Sequence, residues 1–160
     1  MNHEDWGEGP WNNEEDHAVW IDPATGLDCM INRGPSGALC GYVGVPPTHP
    51  YHGMGYDDID IDVHGGLTYH GPCRGEICHV PEEGREHDIW WFGFDCAHFN
   101  DVTPKMDADL RELKGRLPSS TPRAFLEDDP AGLFARTYKD WAYVTGECRD
   151  LAWQLIQVKQ

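Results

Sequence analysis

The sequence predicts one α+β domain, a small mixed or antiparallel sheet of about four strands packed with a long C-terminal helix. Three observations carry that expectation: two apolar runs split by the turn Gly34-Pro35-Ser36-Gly37, a continuous aromatic run over 89–94, and an apolar stripe at helical spacing near the C-terminus. At 160 residues the chain suits a single domain, and a chain of that size hides roughly 68–70% of its unfolded surface. Seven tryptophans, six tyrosines and five phenylalanines supply large side chains to fill the core.

Residues 1–16 are polar, rich in Gly, Asn and Glu and marked by Trp6 and Trp11, and read as a flexible acidic tail that docks through its aromatics. The folded domain is then 17–160. A short helix is expected over 14–21, ending before Pro23. Leu27–Arg33 and Ala38–Val45 flank a turn whose proline fixes φ and whose glycines permit positive φ, so they form a β-hairpin. The prolines, glycines and histidines of 46–56 make a surface loop. Ile59, Ile61 and Val63 alternate with Asp58, Asp60 and Asp62, the period of a half-buried strand. It runs into His64-Gly65-Gly66, where a bulge is expected.

A polar loop over 71–87 leads to Ile89-Trp90-Trp91-Phe92-Gly93-Phe94, whose unbroken apolar character suits a central strand covered on both faces. Residues 106–113 read as a charged helix, followed by an irregular stretch carrying Pro118, Pro122 and Pro130. Trp141, Val144, Cys148, Leu151, Leu155 and Val158 recur at steps of three and four, one buried stripe of a helix.

The net charge of −16 is uneven. Residues 1–22 carry seven acids and no Lys or Arg, residues 23–100 carry eleven acids against Arg33, Arg74 and Arg85, and the remainder nearly balances. Such a surface repels phosphate backbones and anionic lipid, which argues against nucleic-acid and membrane partners. No apolar run approaches the roughly 18 residues of a membrane span, and the first residues lack a basic start with an apolar stretch. A cytoplasmic location is therefore expected, with the six cysteines (29, 40, 73, 78, 96 and 148) reduced.

Asp58, Asp60 and Asp62 have the spacing of a calcium loop, but Val63 and Tyr69 stand where that loop needs Gly and Glu. Cys73, Cys78 and His79 form C-x4-C-H, and His64, His70, Asp95, Cys96 and His98 converge if their strands are neighbours. Of these, His64, Asp95, Cys96 and His98 are the candidate metal ligands, and zinc is the ion their donors suit. No C-x2-C pair and no H-E-x-x-H helix accompanies them, so the default expectation is no cofactor. Asp95 ends an apolar strand and needs a partner, and Gly93, two residues earlier on the same face, leaves room beside it for a ligand or another backbone. The His64-Gly65-Gly66 amides suit wrapping an anionic or polar group. No nucleophile motif such as G-x-S-x-G is present, so no catalytic residue is assigned.

Leu39-Cys40-Gly41-Tyr42-Val43-Gly44-Val45-Pro46, Val63-His64-Gly65-Gly66-Leu67-Thr68-Tyr69, Trp90-Trp91-Phe92-Gly93-Phe94-Asp95-Cys96-Ala97-His98 and the helix over 138–155 together resemble a family of small proteins encoded by bacteriophages and prophages. The resemblance covers about residues 20–156 and transfers no site residues. It implies an accessory role in an infected bacterium and, by analogy with small phage proteins that sequester immune signals, capture of a nucleotide-like host signal without turnover. The ligand-binding residues for that role are His64, Gly65, Gly66, Tyr69, Trp90, Trp91, Asp95, His98 and Arg33: aromatics to stack a base, with histidines, amides and arginine to meet phosphate or ribose oxygens. Two alternatives are a metal-dependent hydrolase acting on a nucleotide or other small substrate through His64, Asp95, Cys96 and His98, and an acidic decoy for a basic host protein. A homo-oligomer is expected, because small domains often build pockets at subunit boundaries.

Overall fold

The structure, a computed structural model, describes residues 3–78, 88–122 and 136–158. Its centre is an antiparallel five-stranded sheet of β1 (His17–Ile21), β2 (Asp28–Arg33), β3 (Leu39–Val45), β4 (Tyr69–Pro72) and β5 (Trp90–Asp95), in the order β1-β2-β3-β5-β4. Two helices follow, α1 (Pro104–Gly115) and α2 (Trp141–Ile156). The α+β class and the C-terminal helix are as the sequence predicts, with one strand more.

The predicted hairpin is β2 and β3, in register from Arg33 opposite Leu39 to Asp28 opposite Gly44. The aromatic run is β5, hydrogen-bonded to β3 on one side and β4 on the other. Alternation along these strands sorts their side chains. Cys29, Ile31, Leu39, Val43, Val45, Phe92 and Phe94 join Val144, Cys148, Leu151 and Leu155 of α2 in the principal core. On the opposite face Met30 and Trp91, with Ile89 beside the sheet, form a smaller cluster against Val19, Tyr42, Tyr69, Cys73 and Ile77. Gly41 permits the close approach of α2, because a Cβ there would stand 2.7 Å from Cys148 Sγ and overlap the Phe94 ring. Asp140 caps α2 by accepting from Tyr143 N–H at 2.9 Å, and Thr103 caps α1 ahead of Pro104.

Several expectations are corrected. The helix expected over 14–21 is an edge strand from His17: Ala18-Val19-Trp20-Ile21 favours a pleated surface, and pairing with β2 satisfies a backbone that a two-turn helix would hold only marginally. Residues 58–63 keep the predicted alternation, with Ile59, Ile61 and Val63 packed toward the core, yet join no strand. Their backbone is met instead by α2: Gln154 Oε1 accepts from Asp62 N–H at 2.9 Å, and Gln154 Nε2 donates to Asp62 O at 2.7 Å. Alternation reports which side is buried, and here a helix supplies the polar partners.

Cys73 and Cys78, expected to be reduced, are joined as a disulfide. Cys29, Cys40, Cys96 and Cys148 are free thiols. Burial pushes Cys29 up to about 12 and Cys40 up to about 11, and raises Cys96 and Cys148 as well, so all four are held as neutral thiols.

Residues 3–16 form two 3-10 turns, with Trp6 and Trp11 buried. Their anchor is Arg33, whose guanidinium reaches Asp16 Oδ1 at 2.7 Å, Glu14 Oε2 at 3.0 Å, Gly37 O at 2.8 Å and Tyr138 Oη at 2.8 Å. Glu14 also accepts from Trp141 N–H at 2.9 Å, linking this segment to the start of α2. Among the described residues no helix is long and apolar enough to cross a membrane.

Candidate metal centre

Beyond β5 the chain makes a tight turn closed from both sides: Asp101 N–H donates to His98 O at 2.9 Å, and Asp101 Oδ2 accepts from His98 N–H at 2.9 Å. This turn carries Asp101 into full burial. His64 arrives from the other direction, at the end of the extended segment that α2 holds. Its N–H donates to Glu147 Oε2 at 2.7 Å, and its Nδ1 stands 2.9 Å from Tyr143 Oη. The His64 and His98 rings meet edge to face with centroids 5.2 Å apart.

The three side chains converge on a single point. Asp101 Oδ2 lies 2.9 Å from His64 Nε2 and 3.1 Å from His98 Nδ1, and the donor atoms of the three residues all fall within 4.8 Å of one another. Ligand atoms about 2.0–2.1 Å from a tetrahedral zinc stand roughly 3.3–3.4 Å apart. The two separations from Asp101 to the histidines are a few tenths of an ångström shorter than this. Asp101 Oδ1 is buried without a hydrogen-bond partner, and the Lys139 ammonium stands 3.6 Å from it. Burial alone would raise the Asp101 pKa, but hydrogen bonds from His64 and the His98 amide outweigh it and hold the carboxyl below its ordinary range. The centre therefore offers two imidazoles and an ionised carboxylate, a donor set suited to zinc.

Gly65 belongs to this geometry. With φ at +67° it sits in the left-handed region, and a Cβ there would overlap the His98 ring. Beside His64 opens a groove of about 450 Å³ lined by Asp62, Val63, His64, Glu147, Asp150, Trp153 and Gln154.

The structure thus brings His64, Gly65 and His98 together and leaves other sequence candidates elsewhere. Asp95 lies outside the three-ligand set, its Oδ1 3.9 Å from the far nitrogen of His98. The space expected beside it at Gly93 is filled by the Tyr42 ring. Cys96 is buried, and burial together with the nearby Asp101 charge raises its thiol, which disfavours the thiolate a metal needs. Two amides of the His64-Gly65-Gly66 turn are committed, His64 N–H to Glu147 and Gly66 N–H to Val63 O at 2.9 Å.

Trp91 is fully buried in the far-face cluster, where Tyr69 meets Tyr42 edge-on. Trp90 donates to Met54 O at 3.0 Å and stacks on His70. Arg33 is committed to its ion pairs, and His79 and Arg85 lie outside the described residues. Sequence reasoning missed Asp101. Its signal was an acid three residues after His98 and just ahead of the Thr103-Pro104 helix start, where the chain must turn inward from strand to helix.

Comparison with models of known families, with characterised proteins and with solved structures gives no match.

Proposed function

We propose that the protein is a metal-dependent hydrolase of a small substrate, its ion held by His64, His98 and Asp101 and its substrate seated in the groove beside His64. The observation that carries this reading is the convergence of two imidazoles on a buried carboxylate whose second oxygen makes no hydrogen bond and has only the Lys139 ammonium, 3.6 Å away, beside it. A catalytic ion held by three protein ligands keeps a position for water and lowers that water's pKa to about 7. The chain's own groups do the rest. Asp101, itself buried, supplies fixed negative charge, Glu147 and Tyr143 hold His64 by its backbone and its outer nitrogen, and Lys139 offsets part of the Asp101 charge.

The groove favours this reading over capture of a nucleotide through stacked aromatics. Three carboxylates, Asp62, Glu147 and Asp150, line it and, among the described residues, no lysine or arginine does, a balance that repels phosphate-rich ligands. The aromatic and cationic residues suited to a nucleotide cage are committed elsewhere.

Zn2+-loaded protein should hydrolyse members of a panel of chromogenic neutral and cationic esters and amides, and His64→Ala should abolish that turnover. Binding of panel members without any turnover would replace hydrolysis with capture. A wild-type rate no higher than that of His64→Ala would remove the catalytic claim.

A further inference from the structure

Each imidazole of the centre has an oxygen on its outer side, one at hydrogen-bond and one at ion-pair distance, and one of the residues supplying them has no other place in the proposed chemistry. Each ring turns one nitrogen inward to Asp101 and the other outward to an oxygen. For His64 the outward partner is Tyr143 Oη, 2.9 Å from Nδ1. For His98 it is Asp95 Oδ1, 3.9 Å from Nε2 and within ion-pair reach. The Asp95 carboxylate is itself fixed, because Oδ1 accepts from Ala97 N–H at 3.0 Å. Gly65 closes a further side of the His98 ring, so the imidazole lies among a backbone wall, an inner carboxylate and an outer carboxylate.

We propose that Asp95 is a positioning residue of the centre, one that orients His98 so that Nδ1 faces the ion and that strengthens His98 as a ligand. The proposal rests on the metal-centre reading above. Its physical basis is that a carboxylate facing the outer nitrogen of a ligating histidine orients the ring and makes it a better donor than a neutral neighbour does. His98 faces an anion at ion-pair distance and His64 a phenol at hydrogen-bond distance, so the two ligands are unequal. Removing the Asp95 charge should weaken the site more than removing the Tyr143 hydroxyl. The strand explains the placement: Asp95 is the last residue of β5, and the turn that follows brings His98 back over it three residues later.

Asp95→Asn is the informative variant, because its amide oxygen still accepts from Ala97 N–H and the turn is preserved. Chelator-treated full-length protein is titrated with Co2+ and followed by visible absorption. The expected result is saturable binding by the wild-type protein, affinity about 10–100-fold weaker with a changed visible band for Asp95→Asn, a smaller loss for Tyr143→Phe, and partial recovery for Asp95→Glu. Wild-type affinity and spectrum in Asp95→Asn would overturn the role of Asp95 while leaving the centre intact. Absence of Co2+ uptake by the wild-type protein would overturn the centre and this role together. Should Asp95→Asn not fold, Asp95→Ser, which also keeps an acceptor for Ala97, is read by the same two criteria.

Discussion

Arg33 shows how far a single side chain departs from its apparent role. As one of three basic residues in 23–100 it stood out as the cation for an anionic ligand, yet its buried guanidinium binds Glu14, Asp16, the Gly37 carbonyl and Tyr138. Replacing it with Met strands two carboxylates against an apolar surface. Breaking a buried pair from one side costs about 3–5 kcal/mol, so Arg33→Met should lower the urea midpoint sharply, whereas an unchanged midpoint would mean the pairs contribute nothing. Asp16 gives the pH dependence. Burial acts to raise its pKa, but hydrogen bonds from His3 and Arg33 outweigh this and the folded value lies below the ordinary 3.8. A depressed folded pKa contributes stability above the unfolded value that is lost as pH falls through the folded one. Melting curves between about pH 6 and pH 3 should therefore lose less stability on acidification in Asp16→Asn than in the wild-type protein.

Elements were legible where one periodicity served one partner. The α2 stripe was read correctly because Val144, Cys148, Leu151 and Leu155 all face one sheet, and β5 because it is covered on both sides. The segment 58–63 was half legible, since its burial follows the sequence but its hydrogen bonds come from Gln154, ninety-two residues away from Asp62. β1 was missed because a short apolar run at a sheet edge carries no distinguishing period. The site divided along the same line. His64, Gly65 and His98 stood out by residue type, whereas Asp101 joins them only through a turn that buries it. Gly41 tests the packing of sheet on helix. Gly41→Ala forces a methyl against Cys148 and Phe94, and overpacking of this kind costs about 1–3 kcal/mol. The midpoint of unfolding should fall accordingly, and a midpoint at or above wild type would show that the helix can move away without loss.

At the scale of the whole molecule, the centre draws on three separate parts of the fold. The turn after β5 supplies His98 and Asp101, the 58–64 segment supplies His64, and α2 holds both that segment through Gln154 and Glu147 and the His64 ring through Tyr143. The centre therefore forms only when sheet, segment and helix are assembled, and an ion bound there should stabilise the entire fold by linkage. Equilibrium dialysis against Zn2+ of the wild-type protein and a His64→Ala/His98→Ala double variant, with metal counted per chain, bears most directly on the centre. A single bound Zn2+ in the wild-type protein, lost in the double variant while the metal-free far-UV spectra coincide, is the predicted result. No uptake by the wild-type protein, or equal uptake by the variant, would contradict it.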